Sequence, residues 1–162
     1  SKYAVRFTTN EKGEKIVLMD RPDWRHCLKP HWDLNPWKWL EECKQGEPEQ
    51  FQSLVAINEC PEPVGGFACL PGSHNFLTEW CAEHRAPHNK RKTVRVPEGD
   101  QILTRLQHIP LRKGEMVIWN SALIHCNFPN YSSQMRLIQF IRMLPATEQC
   151  ENKDRYCARR IL

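Results

Sequence analysis

The chain has 162 residues, 40% of them apolar and 26% charged, with a net charge of +4. That length supports one core and leaves no room for two, and the composition excludes a disordered or fibrous chain. The longest apolar runs, 54–57 and 116–119, are far too short to span a bilayer, and so mild a positive charge does not by itself imply a nucleic-acid partner.

Residues 3–9 are β-prone, 10–13 close on a glycine and read as a turn, and 15–19 read as a second strand, so the chain opens with a hairpin. No signal peptide is visible in these first residues, which begin at Ser1. After the break at Arg21-Pro22-Asp23 comes His31-Trp32-Asp33. In an extended segment the side chains of residues i and i+2 share a face. The imidazole of His31 and the carboxylate of Asp33 then lie side by side and can chelate one ion. Two histidines and a carboxylate with the remaining positions open form the facial triad of non-haem Fe(II) oxygenases. The second histidine is expected at His125, in Trp119-Asn120-Ser121-Ala122-Leu123-Ile124-His125. The competing reading is a surface His and Asp flanking a core Trp32.

A short helix follows. Asn35 suits its cap, Pro36 its first position and Gly46 its exit. Trp37, Leu40 and Cys43 or Lys44 fall at helical spacing and are expected to pack at the barrel mouth. Residues 51–57 read as a strand, 61–66 as a turn and 67–70 as the return strand. Pro71-Gly72-Ser73-His74 is a sharp turn into a helix over 75–85, ended by Pro87, with Leu77, Trp80, Cys81 and His84 as its apolar stripe. Cys81, His84 and His88 could hold zinc in principle, but no partner Cys pair is at hand and a core-facing Cys and His is favoured. The basic run 88–95 reads as a solvated loop, or else as a patch for an anionic substrate or partner.

Residues 102–106 and 109–112 read as short strands, 112–115 as a turn, and 116–120 as a strand. A loop is expected over 127–133 and the last strong strand over 136–142. The polar tail from Pro145 receives no function. Many short strands, Gly/Pro turns and few helices point to a β-sandwich or barrel. Eight cysteines without a Cys-x-x-Cys argue against a zinc ribbon or thioredoxin site. Most read as reduced, buried thiols of an intracellular, cytoplasmic protein.

Alternation places Arg136 on one face of the last strand with Ile138 and Phe140. If that face lines the barrel, Arg136 is buried and needs an anion, for which a two-pronged carboxylate is the natural match. If it faces outward, Arg136 is solvated; the two faces are nearly equally apolar, so the pattern does not choose. Fe(II) with one carboxylate ligand carries +1 and Arg136 another, which a dianionic 2-oxo diacid would neutralise.

The ordered set His31-x-Asp33, Gly65-Gly66-Phe67-Ala68-Cys69-Leu70-Pro71-Gly72-Ser73-His74, Gly114-Glu115-Met116-Val117-Ile118-Trp119-Asn120-Ser121-Ala122-Leu123-Ile124-His125 and Arg136 resembles the phytanoyl-CoA dioxygenase family over about residues 28–142. The resemblance implies a mainly β, double-stranded β-helix, a jelly-roll or cupin-like barrel with a few short flanking helices. It implies an oxygenase dependent on Fe(II), 2-oxoglutarate and O2 that hydroxylates a small-molecule or acyl substrate and releases succinate and CO2. His31, Asp33 and His125 would be the iron ligands and Arg136 the anchor of the distal carboxylate. Gln52, Leu54 and Asn127 would lie beside the cosubstrate, and His74 would shape a turn. The carboxylate at Asp33 sets the chain apart from the halogenase variant, which has a small residue there. Two departures stand out: a short stretch before the first ligand, and Cys126 where the family commonly has Gly. A thiol there would be open to oxidation. Residues 1–162 are expected to form a single oxygenase domain, complete or the C-terminal catalytic core of a longer protein. No nucleic-acid or membrane partner is expected, and no feature chooses an oligomeric state. The rival from another class is a non-catalytic β-barrel binding module with a structural metal or none.

Overall fold

The computed structural model describes residues 5–9, 12–13, 15–19, 27–46, 49–86, 93–132 and 134–143. Within them lie ten strands and two α-helices. The strands are β1 (Val5–Thr9), β2 (Lys15–Met19), β3 (His31–Trp32), β4 (Phe51–Ala56), β5 (Gly66–Cys69), β6 (Val94–Arg95), β7 (Gln107–His108), β8 (Met116–Asn120), β9 (His125–Phe128) and β10 (Ile138–Met143). The helices are α1 (Pro36–Lys44) and α2 (Leu77–Glu83). The expected opening hairpin pairs β1 with β2. The rest forms a three-stranded sheet, β10-β4-β8, and a five-stranded sheet, β6-β3-β9-β5-β7, antiparallel throughout. Together the two sheets make the double-stranded β-helix, with short helices at its flank.

The period-2 alternation of the strands builds two apolar layers from one sheet. On one face of the five-stranded sheet, Trp32 and Val94 pack with Leu70, Ile124, Trp39 of α1, and Leu77 and Trp80 of α2. Trp32 is fully buried there and donates from Nε1 to the Ala122 carbonyl at 2.9 Å. On the other face, Phe67 and Cys69 meet Leu54, Ala56 and Trp119 of the three-stranded sheet. The register sets His31 opposite His125, and His125 opposite Cys69. Both histidines therefore point into the space between the sheets.

The helix α1 starts as expected, with Asn35 Oδ1 accepting from Lys38 N at 3.2 Å and Pro36 in its first turn. Its buried indole is Trp39; Trp37 is only partly buried and donates to the Cys81 carbonyl at 3.0 Å.

Several local expectations are corrected. Residues 67–70 do not return beside β4. They cross to the other sheet, because a 3-10 turn (Glu62–Val64) and two left-handed glycines redirect the chain. At Gly65, a Cβ would sit 2.3 Å from the Pro129 carbonyl oxygen, so only glycine fits. The stretch 102–106 is largely a 3-10 helix (Gln101–Arg105), since Asp100 Oδ1 accepts from Ile102 N at 3.0 Å and offers the backbone a cap instead of a ladder. Of 109–112, Leu111 makes one isolated bridge to Cys60. The helix expected over 75–85 begins as a 3-10 turn (Ser73–Phe76) and is α-helical only over α2, with His84 already extended. Val94 and Arg95 of the basic run form β6, while 87–92, with His88 and Pro87, lie outside the described residues. β9 continues through Asn127 to Phe128, where a loop was expected. β10 starts at Ile138, so Arg136 precedes it; Phe140, whose face the alternation left open, is 53% exposed. The tail, with Cys150 and Cys157, lies outside the described residues.

Candidate metal centre

β3 and β9 are neighbours, and this pairing brings the ends of the sequence pattern together. His31, Asp33 and His125 offer one ligand atom each, all within 4.8 Å of one another. His31 Nε2 lies 3.2 Å from Asp33 Oδ1, and His125 Nε2 lies 3.6 Å from Asp33 Oδ2. His31 and His125 are 6% and 5% exposed, whereas the Asp33 side chain is 39% exposed. The cluster is thus walled on the histidine side and open at the carboxylate.

Each imidazole is held in the same way. His31 Nδ1 donates to the Lys29 carbonyl at 2.8 Å, and His125 Nδ1 to the Leu123 carbonyl at 3.0 Å, both two residues back. A carbonyl can only accept, so Nδ1 carries the hydrogen and Nε2 is left to the Asp33 side. This is the tautomer a metal-binding imidazole needs.

Asp33 is oriented by a second chain of contacts. Trp119 Nε1 donates to Gln52 Oε1 at 2.9 Å, and Gln52 Nε2 donates to Asp33 Oδ2 at 3.0 Å. Because the indole is a donor only, it settles which end of the amide faces the carboxylate. Hydrogen bonds from His125 and His31, and then from Gln52, hold the Asp33 carboxyl far below the usual carboxylate range, against the effect of burial. Burial works against the charged form of His31, but Asp33 and the Lys29 carbonyl outweigh it and its pKa is raised.

The donor set fits a transition-metal ion. Calcium and magnesium favour oxygen shells, whereas two imidazoles and one carboxylate suit iron and its neighbours. The inner wall is aromatic: the Trp119 and Phe67 rings lie 5.3 and 6.1 Å from the His125 ring.

The other expected site residues divide. Gln52 is buried and joins the cluster through Asp33. Leu54 is buried two residues further along β4, in the layer between the sheets. Asn127 is on β9, two residues from His125, and its buried Oδ1 has no partner among the described residues. Arg136 is partly buried and donates from Nη1 to the Phe128 carbonyl at 3.2 Å. Burial holds its pKa down, and among the described residues no carboxylate pairs with it. His74 is exposed and outside the cluster; its neighbour Ser73 is fully buried, its Oγ accepting from Ile124 N at 2.8 Å and fixing the residue before His125. His84 Nε2 lies 3.2 Å from Asp100 Oδ2 and its Nδ1 2.8 Å from the Trp80 carbonyl, so both ring nitrogens have partners, while His88 of the same trio lies outside the described residues.

Cys126 overturns one expectation. It is 2% exposed, on the opposite face of β9 from His125, and burial, with Cys27 and Cys69 nearby, pushes its thiol up to about 12. A protonated, buried thiol is a poor target for oxidation. One group was missed in the sequence: Trp119 enters there only within an apolar run and the motif that ends at His125, whereas its indole orients Asp33 through Gln52.

The sequence model of "Phytanoyl-CoA dioxygenase (PhyH)" matches residues 11–138. A Dictyostelium discoideum protein named "Putative phytanoyl-CoA dioxygenase" is 24% identical over 151 residues, covering 78% of this chain and 43% of its own. An Aspergillus versicolor protein, "Ava biosynthesis cluster protein O", is 27% identical over 165 residues, covering 90% and 50%. The chain therefore spans about half the length of these relatives. Among solved structures, the epimerase SnoN in complex with Fe3+, α-ketoglutarate and nogalamycin RO aligns with a TM-score of 0.53 at 15% identity, over 85% of this chain and 46% of that one. That likeness is one of fold.

Proposed function

Because the chain belongs to the phytanoyl-CoA dioxygenase family, we propose that it is the catalytic domain of an Fe(II)- and 2-oxoglutarate-dependent oxygenase, with His31, Asp33 and His125 as the metal ligands. The observation that carries this reading is the pair of buried imidazoles, each tied at Nδ1 and converging at Nε2 on one carboxylate. Bound iron would supply the activation of O2 that couples decarboxylation of 2-oxoglutarate to hydroxylation of a substrate.

The protein's own residues do the rest. His31, Asp33 and His125 would hold the ion, and the cluster opens at the exposed Asp33 side chain toward cosubstrate, O2 and substrate. Trp119 and Phe67 exclude water from the inner wall. Arg136 takes the distal carboxylate of 2-oxoglutarate: its hydrogen bond to Phe128 sets it three residues along β9 from His125, about 10 Å of strand, which suits a short diacid with its near end on the metal. Gln52, Leu54 and Asn127 flank the cosubstrate, Gln52 through its hold on Asp33. The substrate is a small molecule or acyl compound. No helix among the described residues is long and apolar enough to cross a membrane. A cytoplasmic, reducing location fits the six described cysteines, all free.

The direct test is anaerobic addition of Fe(II) and 2-oxoglutarate to the full chain. A weak visible charge-transfer band, followed by succinate on admitting O2, is expected. Failure of both would leave a non-catalytic β-barrel binding module. A second test concerns Gln52. Gln52→Leu keeps size but frees Asp33 from Trp119, and metal affinity should fall about ten- to hundredfold, as for other residues that orient a ligand. Unchanged affinity in a metal titration would remove Gln52 from this role.

A further inference from the structure

One side of β10 faces the site. In the antiparallel ladder Arg142 lies opposite Gln52 and Phe140 opposite Leu54, and Gln52 lies in turn opposite Trp119 of β8. Residues directly opposite one another project from the same side of a sheet. Leu54 and Trp119 belong to the layer between the sheets, so Phe140 and Arg142 project from that side too. Arg142, Gln52 and Trp119 form one row across the sheet. The same Gln52 donates to Asp33 Oδ2 at 3.0 Å, so a single residue joins Arg142 to the open, carboxylate side of the cluster.

Two residues of this site-facing side are uncovered. Leu54 is fully buried, yet Phe140 beside it is more than half exposed, and Arg142 is exposed as well. Charge marks Arg142 further. A dianionic cosubstrate would match Fe(II) with its one carboxylate ligand and Arg136, which leaves Arg142 a surplus cation at the mouth. Its guanidinium donates to a neutral oxygen, Gln50 Oε1, at 3.0 Å, and among the described residues no carboxylate pairs with it. Glu49, the carboxylate nearest in the chain to Gln50, accepts from Asn120 Nδ2 at 3.4 Å instead. A guanidinium bound to an amide oxygen gains by exchanging it for an anion, since charge-assisted hydrogen bonds are about twice as strong as neutral ones. An uncovered phenyl ring beside it gains by meeting apolar surface.

We propose that Arg142 and Phe140 are substrate-binding residues at the mouth of the site, and that the substrate joins an anionic group, held by Arg142, to an apolar body that covers Phe140. This rests on the oxygenase reading above and narrows its substrate class. The two residues stand two apart on one strand, so the anionic group and the apolar body are held side by side, next to the ligand Asp33. The anion is a carboxylate or a phosphate, both of which a guanidinium binds in the same way.

The test is calorimetric titration of the full chain loaded with Mn(II), which stands in for Fe(II) without redox chemistry, and saturated with 2-oxoglutarate. The probes are octanoate, octyl phosphate and octanol, which share a chain and differ in the head. At least one anion should bind wild type about tenfold tighter than octanol, and the tighter of the two tells a carboxylate from a phosphate. Arg142→Gln should erase that preference, the loss of one hydrogen bond to a charged group at an exposed position. Arg142→Lys, which keeps the charge, should retain it within a few-fold. Phe140→Ala should weaken all three probes alike, by about fivefold. The affinity for 2-oxoglutarate, measured first in each variant, should match wild type, which shows that the variant is folded and separates Arg142 from the cosubstrate anchor. Octanol bound as tightly as both anions, an undiminished preference in Arg142→Gln, a loss of 2-oxoglutarate affinity in that variant, unchanged probe affinities in Phe140→Ala, or no heat from any probe overturns the assignment while the oxygenase reading stands. No heat from 2-oxoglutarate with the wild type overturns both.

Discussion

Asp33→Ala is expected to abolish 2-oxoglutarate turnover, with a fold indistinguishable from wild type by circular dichroism. The substitution removes the only charged ligand of the three. It also removes the one acceptor on which both Nε2 atoms and Gln52 converge. Loss of a group that merely orients a ligand costs about ten- to hundredfold in metal affinity, and loss of the ligand itself should cost more. His125→Ala should do the same. The fold should survive because Asp33 is half-exposed and contributes nothing to either apolar layer. His74→Ala is the matched control: that side chain is exposed on the Pro-Gly-Ser-His turn, away from the cluster. Its metal affinity should remain within a few-fold of wild type. Succinate release by purified Asp33→Ala at the wild-type rate would remove the iron assignment, and a His74→Ala loss as large as that of His31→Ala would show that the wrong histidine was chosen.

The clustering of His31, Asp33 and His125 was legible because it is written in residue types and parity. His-x-Asp in an extended segment puts both groups on one face whatever the neighbouring strands do. The Pro-Gly-Ser-His turn was legible for a related reason: Gly72 takes φ +76° and Ser73 is buried against the ligand strand. Sheet membership was not legible. Residues 51–57 and 67–70 look like a hairpin, and nothing short of the packing at Gly65 against Pro129 shows that the second strand crosses to the other sheet. The stretch 102–106 misled because its apolar residues suggest a strand, while a single capping contact from Asp100 makes a 3-10 turn.

The support around the ligands was hidden for a different reason. Gln52 and Trp119 face each other across the pairing of β4 with β8, and sequence spacing carries no information about such a register. Residues of this kind become visible through unpaired atoms and shared neighbours, not through motifs.

Arg136 should show the second large effect, and its direction separates binding from stability. Arg136→Lys keeps the charge but loses the two-pronged geometry. One charge-assisted hydrogen bond is worth about 1.5–3 kcal/mol, so 2-oxoglutarate affinity should fall by about one to two decades. Arg136→Met should do worse, because the distal carboxylate is then desolvated with no cation. Stability of the ligand-free protein should go the other way or not move. Burial already disfavours the charged guanidinium, whose partner here is one carbonyl oxygen, and an apolar side chain of similar length removes that cost. Thermal unfolding with and without cosubstrate reads both terms. At a 2-oxoglutarate concentration of about 100 times its dissociation constant, the metal-loaded wild type gains about 2.7 kcal/mol. A hundredfold weaker variant gains only about 0.4 kcal/mol under the same conditions. The expected pattern is therefore an Arg136→Met protein that melts no lower than wild type without 2-oxoglutarate and is barely stabilised by it. A wild-type thermal shift in that variant would move the anchor to another cation. Two other arginines are already engaged: Arg142 donates to Gln50 Oε1 at 3.0 Å, and Arg105 lies over the Phe76 ring, 5.4 Å from its centroid.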